Sequence, residues 1–563
     1  MLLVILACQW SSKLVISNFA GYKMNSSAKN FDYIIVGAGS AGCVLANRLT
    51  ENRDNRVLLI EAGPADRDPM IKIPLLWMQF VKNKYHDWGY ETQPEPHMDN
   101  REIECVRGKV LGGCSSINAM TVVRGNRYDY ERWKKMGLDQ WGYDDVLPYF
   151  KKLESWGGET GDDNLRGLSG PFKVRPSTYQ DPLYDAYLAA ANQMGMGLAE
   201  DYNGKDQLGL ARSQQNIFKG RRFSAADAFL KPVLSRPNLT LRLKQFVTRL
   251  VFDGQKAVGI ELAGSNGQLT GVNAEREVII STGAINSPHL LMLSGVGPAD
   301  QLKKQGIEVV QDASEVGQNL QDHISASVGY RRKQPGPFLP KTRFDKLAVD
   351  LLRAYFFGTG VAADFPGGLN GFTKVDATLD VPDTQLLFNG APADSYPWFP
   401  FIKPAWQDGF GCRAVLLHPE SRGSLEFVSD NPRTLMHLRQ NFLATENDRR
   451  ILREGFKICR ELSEQSALDE FRSEEFLPGV KVKTDDEIDA HIRATGISVH
   501  HPCGTCRMGS DEKSVVDDFL KVRGVENLRV VDASVMPDII SGNIHAPVLM
   551  IAERAAEFIQ EDG

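Results

Sequence analysis

The chain of 563 residues lacks any apolar run of the ~18–20 residues that a membrane-spanning helix needs. It has no excess of positive charge either: the net charge is −6 and the isoelectric point is near 6.0, which gives no reason to expect a nucleic acid as partner. We find no internal repeat and no low-complexity tract. These absences argue against membrane-spanning, nucleic-acid-binding and repeat proteins. The hydrophobic content of 42% and charged content of 24% are ordinary for a globular protein.

Eight cysteines lie along the chain without the spacing of a disulfide framework, which is typical of proteins in a reducing compartment. Cys503 and Cys506 form a C-x-x-C pair directly after two histidines. Such a pair can be half of a zinc site or a redox couple. No second C-x-x-C pair completes a zinc site, and no thioredoxin-like pattern surrounds this one. The sequence therefore predicts no metal.

The first 29 residues are ambiguous. Leu2–Ala7 is apolar, but no positive charge precedes it and the run is short for a secretory signal. Cys8 follows a stretch that loosely resembles a lipoprotein cleavage site. We favour the alternative that Met24 is the true start, which makes residues 1–29 an N-terminal extension, and we favour a cytoplasmic location. Peripheral association with a membrane stays open, and a secreted form or a lipoprotein is the weaker alternative.

A glycine-rich turn follows the first strand-like segment. Tyr33–Val36 is an apolar run typical of a strand buried on both faces, and Ser40–Thr50 reads as a helix whose first amides face a phosphate. Between and just beyond them, Gly37 allows a tight turn, Gly39 lets the backbone approach a pyrophosphate, and Gly42 permits close helix–strand contact. This pattern predicts a dinucleotide site, although an ordinary strand–turn–helix can carry glycines incidentally.

A second apolar run, Val57–Ile60, ends in Glu61, about 20 residues beyond the turn. An acidic side chain at this distance can accept hydrogen bonds from ribose hydroxyls. It would repel a 2′-phosphate, so the pattern argues against NADP.

Three further segments extend the pattern along the chain. Arg107–Asn118 is rich in glycine and small hydroxyl residues, Val278–Gly297 reads as a strand, a turn and an apolar helix, and Val530–Pro537 lies near the end. Together with the turn at Gly37, and in this order, they resemble the signature segments of the glucose–methanol–choline (GMC) family of FAD oxidoreductases. The resemblance runs from about Phe31 to Ile559, nearly the whole chain.

The resemblance implies an α/β fold with two domains. A Rossmann-like FAD-binding domain, a parallel sheet with helices, would take residues 30–158, 225–325 and 495–563. A discontinuous α+β substrate domain with an antiparallel sheet would take residues 159–224 and 326–494. The length agrees, since 563 residues are too many for one compact core. In the substrate domain, Tyr355–Gly360 and Tyr396–Phe401 could line an apolar pocket, or serve as ordinary core or surface aromatics.

The resemblance also assigns residues to FAD. The adenine nucleotide would be held by Gly37, Gly39, Ser40, Ala41, Gly42, Glu61, Ala62 and the backbone of Val247. The pyrophosphate, the ribityl chain and the flavin ring would lie along Val110, Gly113, Asn118, Ala119, Met120, Asp532 and Ala533. In some members a histidine before the asparagine of the glycine-rich loop bonds to FAD. Ile117 stands at that position here, which implies non-covalent FAD.

Two histidines near the C-terminus match the family's catalytic positions. An alcohol loses hydride from carbon more easily when its hydroxyl loses its proton, and an imidazole can take that proton near neutral pH. The resemblance implies that His501 is this base and that His545 orients the hydroxyl and steadies the developing alkoxide, although the two roles could be exchanged or shared. Taken alone, either histidine is more often structural. We expect the adjacent His500 to point elsewhere if the segment is extended.

The segment after His545 reads as a helix. Pro547 suits its first turn, and Val548–Phe558 carries apolar residues at helical spacing. In the family, the start of this helix faces the flavin. Its partial positive charge would favour negative charge on the flavin by about 0.3–2 kcal/mol.

The sequence constrains the identity of the substrate and of the electron acceptor less than it constrains the fold and the cofactor. Choline- and alkanol-oxidising relatives often carry a glutamate where we place Gly368, and its loss argues against a quaternary ammonium, which needs an acid or an aromatic cage. We therefore expect a small primary alcohol, aliphatic or aromatic, and electron transfer to a quinone or another acceptor. Oxygen as the acceptor and a non-redox lyase on the same scaffold are the alternatives. The oligomeric state is not predicted.

Overall fold

The computed structural model describes residues 30–159, 161–162, 164–263 and 268–562. The predictions for the N-terminal extension, with Met24 and Cys8, lie outside these residues. Among the helices in these ranges, none is long and apolar enough to cross a membrane.

The chain alternates between short strands and helices throughout the described ranges. The helices are α1 (Ser40–Leu49), α2 (Pro69–Lys72), α3 (Trp77–Asn83), α4 (Arg127–Lys135), α5 (Tyr143–Leu153), α6 (Pro182–Gln193), α7 (Gly283–Leu293), α8 (Ala299–Lys304), α9 (Phe344–Phe357), α10 (Glu446–Glu464), α11 (Asp485–Thr495) and α12 (His545–Asp562).

The strands are β1 (Asn30–Val36), β2 (Val57–Glu61), β3 (Tyr90–Glu91), β4 (Glu104–Cys105), β5 (Glu154–Trp156), β6 (Phe172–Pro176), β7 (Gly209–Arg212), β8 (Gln214–Gln215), β9 (Ile217–Phe218), β10 (Arg221–Arg222), β11 (Leu239–Leu243), β12 (Phe246–Asp253), β13 (Lys256–Ala263), β14 (Leu269–Ile280), β15 (Val296–Gly297), β16 (Gln311–Asp312), β17 (Ile324–Arg332), β18 (Leu369–Thr373), β19 (Thr384–Asn389), β20 (Gly409–Leu416), β21 (Ser424–Glu426), β22 (His437–Arg439), β23 (Arg472–Leu477), β24 (Ile497–Ser498) and β25 (Leu528–Val530).

One sheet has a parallel centre. Its strand order is β11-β2-β1-β14-β13-β12, and β25 pairs with the C-terminal end of β14, beyond the part that pairs with β13. The strands β11, β2, β1, β14 and β25 run parallel, and β12 and β13 pair antiparallel. The central strands β1 and β2 are apolar and almost fully buried because helices cover the sheet. Their carboxyl ends meet at one edge, where α/β proteins bind ligands.

A second sheet is antiparallel, with the order β23-β17-β20-β19-β18-β7 and with β24 on β17. It shares a second apolar core with α6 and α10, and α10 buries Ile451, Leu452 and Phe456 at helical spacing. The predicted α/β fold with an additional antiparallel sheet is confirmed. The domain boundaries themselves stay a prediction.

Strand β24 joins the C-terminal segment to the antiparallel sheet. Ser498 pairs with Ile324 and Ile497 with Ser325, so the residues just after β24 lie beside those just before β17. This pairing brings the segment of His501 next to a part of the chain that is remote in sequence.

The glycine-rich turn has the predicted geometry. The Gly37 amide donates to the Ile60 carbonyl at 2.8 Å, and the φ of Gly37 is +100°, a value that favours glycine. A Cβ atom on Gly42 would lie 1.9 Å from the Gly37 carbonyl oxygen. Gly42 is therefore required for packing between α1 and the turn.

We predict that Gly42→Ala destabilises the protein and that Gly39→Ala does so far less. Alanine at position 42 must push a backbone carbonyl aside, and overpacking of this kind costs about 1–3 kcal/mol. At position 39, the φ is −77° and the nearest atom to a new Cβ is 3.9 Å away. Thermal unfolding of flavin-depleted samples measures both effects. Equal unfolding midpoints for the two variants would contradict the packing argument.

Candidate functional site

A cavity of about 750 Å³ extends from the carboxyl ends of β1 and β2 to the antiparallel sheet. Its volume is toward the upper end of the range for ligand sites. Most of the predicted residues line it, namely Gly37, Gly39, Ser40, Ala41, Glu61, Ala62, Gly113, Asn118, Ala119, Met120, Val247, His501, Asp532, Ala533 and His545. The fold thus gathers residues from both ends of the sequence around one space.

Three predicted cofactor residues do not line the cavity. Gly42 faces Gly37 inside the turn, because that is where its missing side chain is needed. Val110 is fully buried in an apolar cluster that includes Ile117. Pro547 is buried in the first turn of α12. Their contact with a cofactor stays a prediction.

Two glycine-rich segments close around the start of α1. The Gly112 amide donates to the Ala38 carbonyl at 2.8 Å. A Cβ atom on Gly113 would lie 2.8 Å from the Cα atom of Gly39. The two backbones therefore form a narrow cradle beside the first amides of α1, where an anionic pyrophosphate is favoured.

Glu61 is fixed at the nucleotide end of this cradle. Its carboxylate accepts the Ala38 amide at 3.1 Å and the Gly63 amide at 2.7 Å. Burial raises the pKa of Glu61 to about 7. Two backbone amides hold the carboxylate at the cavity wall, in an orientation that suits bonds from ribose hydroxyls.

Asp532 ties β25 to the start of α7. Its two oxygens accept the Gly283 amide at 2.8 Å, the Ser287 hydroxyl at 2.5 Å, and the amide and hydroxyl of Ser534 at 2.8 and 2.6 Å. Every strong acceptor position of this carboxylate is used within the protein. Asp532 therefore fixes the positions of the neighbouring amides, and its contact with the cofactor stays a prediction.

The loop that contains Asn118 is held by a buried arginine that the sequence patterns did not single out. The Arg222 guanidinium donates to the Asn118 carbonyl at 2.6 Å and to its side-chain oxygen at 2.8 Å. The same side-chain oxygen accepts the Met120 amide at 3.0 Å, and Met120 has a φ of +60°. Burial lowers the pKa of Arg222 to about 9, because its contacts are carbonyls and its nearest acid, Asp227, compensates only in part.

His501 lies in a chain of imidazole contacts at the opposite end of the cavity. Its Nδ1 is 2.9 Å from Nδ1 of His323, and Nε2 of His323 is 3.0 Å from the Leu417 carbonyl. A carbonyl only accepts, so Nε2 of His323 carries its proton. Burial lowers the pKa of His323 to about 4, so this ring is neutral and its Nδ1 accepts from His501.

The contact with His323 fixes the tautomer of His501. With the proton on Nδ1, the Nε2 of a neutral His501 is a bare acceptor. Nε2 lies 3.0 Å from the side-chain nitrogen of Asn543, which donates to it. Burial, aided by His323, Arg107 and His500, lowers the pKa of His501 well below its usual value. The ring is therefore neutral at pH 7 and presents an unprotonated nitrogen.

Asp322 holds both histidine segments. Its carboxylate accepts the His501 amide at 2.7 Å and the His323 amide at 2.8 Å. The Ser498 hydroxyl and the Gln440 side chain donate at 2.6 and 3.2 Å. Burial raises the pKa of Asp322 to about 6. Neither Asp322 nor His323 was a candidate from sequence, although an acid and a histidine directly before an apolar strand are a usable signal.

His545 lines the same cavity, and its role in orienting the substrate hydroxyl stays a prediction. Both its ring nitrogens are buried without a hydrogen-bond partner among the described residues. Burial, with a smaller effect of Arg222, lowers the pKa of His545 to about 4, so the ring is neutral. Asn543, two residues earlier, is the direct neighbour of His501. An orphaned imidazole facing a cavity is what a ligand with polar edges would satisfy.

The neighbours of His501 also differ from expectation. His500 is not extended, since its φ is +64°, and it too lines the cavity.

Cys503 and Cys506 are buried thiols whose backbone amides bond to Gln321 and Ser534. No group of His, Cys, Asp and Glu side chains that could hold a metal ion occurs in the described ranges.

The two aromatic segments of the sequence lie in different surroundings. Tyr396 and Pro397 line the cavity. Residues 355–360 do not: Tyr355, Phe356 and Phe357 are exposed at the C-terminal end of α9. Of the two alternatives for this segment, the structure therefore shows surface aromatics. Gly368 packs under Tyr184, because a Cβ atom there would lie 2.4 Å from the ring.

The donor set is suited to FAD. The cradle of Gly39 and Gly113 suits a pyrophosphate, Glu61 suits a ribose, and the unpartnered imidazole nitrogens of His545 could bond to a ligand with polar edges, such as a flavin ring. The side chain at the position of the family's covalent histidine is the apolar Ile117.

Comparisons with known proteins agree with this assignment. Residues 31–325 and 419–552 match the N-terminal and C-terminal domains of GMC oxidoreductases. The chain is 43% identical to the oxygen-dependent choline dehydrogenase of Staphylococcus saprophyticus over 94% of this chain and 95% of the relative. It is 40% identical to the enzyme of the same name from Brucella anthropi, with the same coverage of both chains.

Two solved structures share the fold. The pyridoxine 4-oxidase from Mesorbium loti is 33% identical, with a TM-score of 0.83 over 94% of this chain and 99% of that one. A variant of formate oxidase from Aspergillus oryzae is 28% identical, with a TM-score of 0.87 over 95% and 98%. From its sequence, its fold and these relatives, the chain belongs to the GMC family and is an FAD-dependent oxidoreductase that acts on the CH–OH group of a small alcohol.

Proposed function

We propose that this chain oxidises a primary alcohol to the aldehyde, with Nε2 of His501 as the general base. The observation that carries the proposal is the hydrogen-bond chain from the Leu417 carbonyl through His323 to His501. It leaves a neutral imidazole with a bare nitrogen at the wall of the cavity that also contains the FAD cradle. A base of this kind is worth about 10²–10⁴-fold in rate.

When bound, FAD supplies the ring that accepts hydride from the alcohol carbon. The protein handles the proton. Nε2 of His501 takes the hydroxyl proton, and the ring becomes an imidazolium that His323 and Asp322 hold in place. The substrate hydroxyl replaces the Asn543 amide at Nε2, and that amide is then free to donate to the substrate oxygen.

We assign His545 to orientation of the reacting groups and not to proton removal. It is neutral, its nitrogens lack partners among the described residues, and it begins α12, whose N-terminus carries partial positive charge. Developing negative charge near it would be stabilised. We further propose that FAD is non-covalent, since Ile117 offers no nucleophile.

The substrate is proposed to be a neutral primary alcohol. In the described part of the chain, the acids that line the cavity are Glu61 and Asp532 at the nucleotide end, and Glu104. Near His500 the wall carries two guanidinium groups, Arg107 and Arg413, which disfavour a quaternary ammonium. Choline is the second candidate, because relatives at 40–43% identity are named choline dehydrogenases.

A quinone or a similar acceptor is proposed to take the electrons from the reduced enzyme. Oxygen is the second candidate, because the solved relatives above are named oxidases. An assay of hydrogen peroxide in air, against a dye acceptor without oxygen, separates the two acceptors.

We predict that a neutral primary alcohol bleaches the flavin without oxygen faster than choline does, and that His501→Ala slows this step by about 10²–10⁴-fold. Stopped-flow absorbance over a panel of alcohols measures both. Acid denaturation of each sample should release the flavin and show that the variant still binds it. Near-normal reduction by the flavin-loaded variant would remove His501 from the role of base.

The pH dependence of flavin reduction provides a separate test. The base must be unprotonated, and burial lowers the pKa of His501, so activity should persist below pH 6.5 and fall only at more acidic pH. The rate of flavin reduction at saturating alcohol, measured from neutral to acidic pH, should show this shift. The His501→Ala variant, lacking the group, serves as the reference profile. A limb centred at 6.5 or above would contradict the assigned environment.

A third prediction tests whether His323 acts by fixing the tautomer of His501 or only by packing against it. His323→Leu leaves the Nδ1–H of His501 unpaired, which costs about 1–3 kcal/mol, or about 5- to 150-fold in flavin reduction. His323→Gln should restore much of the rate, because a glutamine oxygen can accept from His501 while its amide donates to Leu417. Flavin content and unfolding midpoint are measured alongside. Equal losses in the rate of flavin reduction for both variants would contradict the tautomer assigned to His501.

A further inference from the structure

Helix α9 presents its large apolar side chains to the outside. Val349, Leu352, Phe356 and Phe357 are exposed, Phe357 to 75%, whereas the residues that α9 buries are Asp350 and the small Ala354. An ordinary surface helix shows the opposite distribution. An exposed face with this many apolar side chains is typical of a surface that contacts another molecule or a membrane.

A neighbouring loop extends this face. The Phe344 amide donates to the Trp398 carbonyl at 2.8 Å, and the Trp398 amide donates to the Thr342 carbonyl at 3.2 Å. These bonds fix the loop beside the start of α9. Its tip, Phe401 and Ile402, is almost entirely exposed, Ile402 to 82%. We call Val349, Leu352, Phe356, Phe357, Phe401 and Ile402 the apolar patch.

Positive charge surrounds the apolar patch. Exposed Lys341, Lys346, Arg353 and Lys403 lie in the same two segments, against the exposed acids Asp345 and Asp394, of which Asp345 pairs with Arg343. The whole chain has a net charge of −6, so this local excess is opposite in sign. Apolar side chains between lysines and arginines are complementary to an anionic lipid surface.

The two segments that carry the apolar patch also contribute to the cavity wall. Leu347 lies on α9 among the patch residues and lines the cavity, as does Thr342 just before the helix. Tyr396 and Pro397 of the neighbouring loop line it as well. A surface that covered the patch would therefore lie close to residues of the cavity wall.

We propose that the apolar patch docks this protein onto the surface of a bilayer with anionic headgroups. The aromatic and aliphatic side chains enter the headgroup boundary, and the basic residues contact lipid phosphates. A bilayer is favoured over a second copy of this chain for two reasons. The most exposed residues stand on a loop tip, which suits insertion better than pairing of flat faces, and two copies would bring their lysines and arginines together.

The experiment uses the full flavin-loaded chain and two kinds of vesicle, pure phosphatidylcholine and phosphatidylcholine with phosphatidylglycerol. Sedimentation of the yellow protein with the vesicles measures binding. We expect tight binding to the anionic vesicles at low salt, and at least tenfold weaker binding for the double variant Phe356→Ser with Phe357→Ser. Lys346→Glu with Lys403→Glu should weaken binding to the anionic vesicles only.

The control is Leu168→Ser. Leu168 and Leu352 are each 58% exposed, but Leu168 lies between β5 and β6, outside the apolar patch. Its loss should leave vesicle binding unchanged, whereas Leu352→Ser should reduce it. Flavin content and unfolding midpoints of all variants report folding, since exposed side chains contribute little to it.

Three outcomes would overturn the proposal. The parent chain does not sediment with anionic vesicles, or Leu168→Ser loses as much binding as Leu352→Ser. In the third, sedimentation velocity finds a dimer that the Phe356→Ser and Phe357→Ser changes dissociate, and the patch is then an interface between copies. Binding is independent of the alcohol chemistry, so failure here leaves the assignment of His501 untouched.

Discussion

The carboxylate of Asp322 is the constraint on which the reaction centre depends. It accepts the backbone amides of His323 and His501, which are 178 residues apart, and so fixes the two residues relative to each other. Without this carboxylate, the two segments would lose the shared acceptor that holds their imidazoles in contact. The group is costly to bury, because desolvation penalises the charged form, and four donors offset that penalty.

The nucleotide end of the cavity also depends on a small number of contacts. Parallel strands bring the turn after β1 and the end of β2 to one edge, and the glycine-rich loop then closes on that turn through backbone contacts alone. Backbone amides and glycines without Cβ atoms form most of this end of the cavity. The opposite end is formed by side chains with shifted pKa values, which are typical of the part of a site where the chemistry takes place.

The sequence was most informative where the chemistry is local. The strand, the turn at Gly37 and Glu61 follow one another within a few tens of residues, and their spacing carries a physical meaning by itself. The antiparallel sheet and the two C-terminal histidines followed from resemblance to a family. Residues that act through distant partners were not visible: His323, Asn543 and Arg222 acquire their roles only from contacts across the fold. The location of the aromatic run at 355–360 could not be decided from the sequence, because periodicity does not distinguish the wall of a cavity from an outer surface.

The contact between Gly368 and Tyr184 limits how this enzyme could be re-engineered. The Tyr184 hydroxyl accepts the Gly368 amide at 3.1 Å, and its ring occupies the space into which any larger side chain at 368 would grow. Installing an acid there to recruit a cationic alcohol would drive that acid into the ring. A larger side chain at 368 therefore requires a smaller one at 184 at the same time, so the two positions can only be changed together.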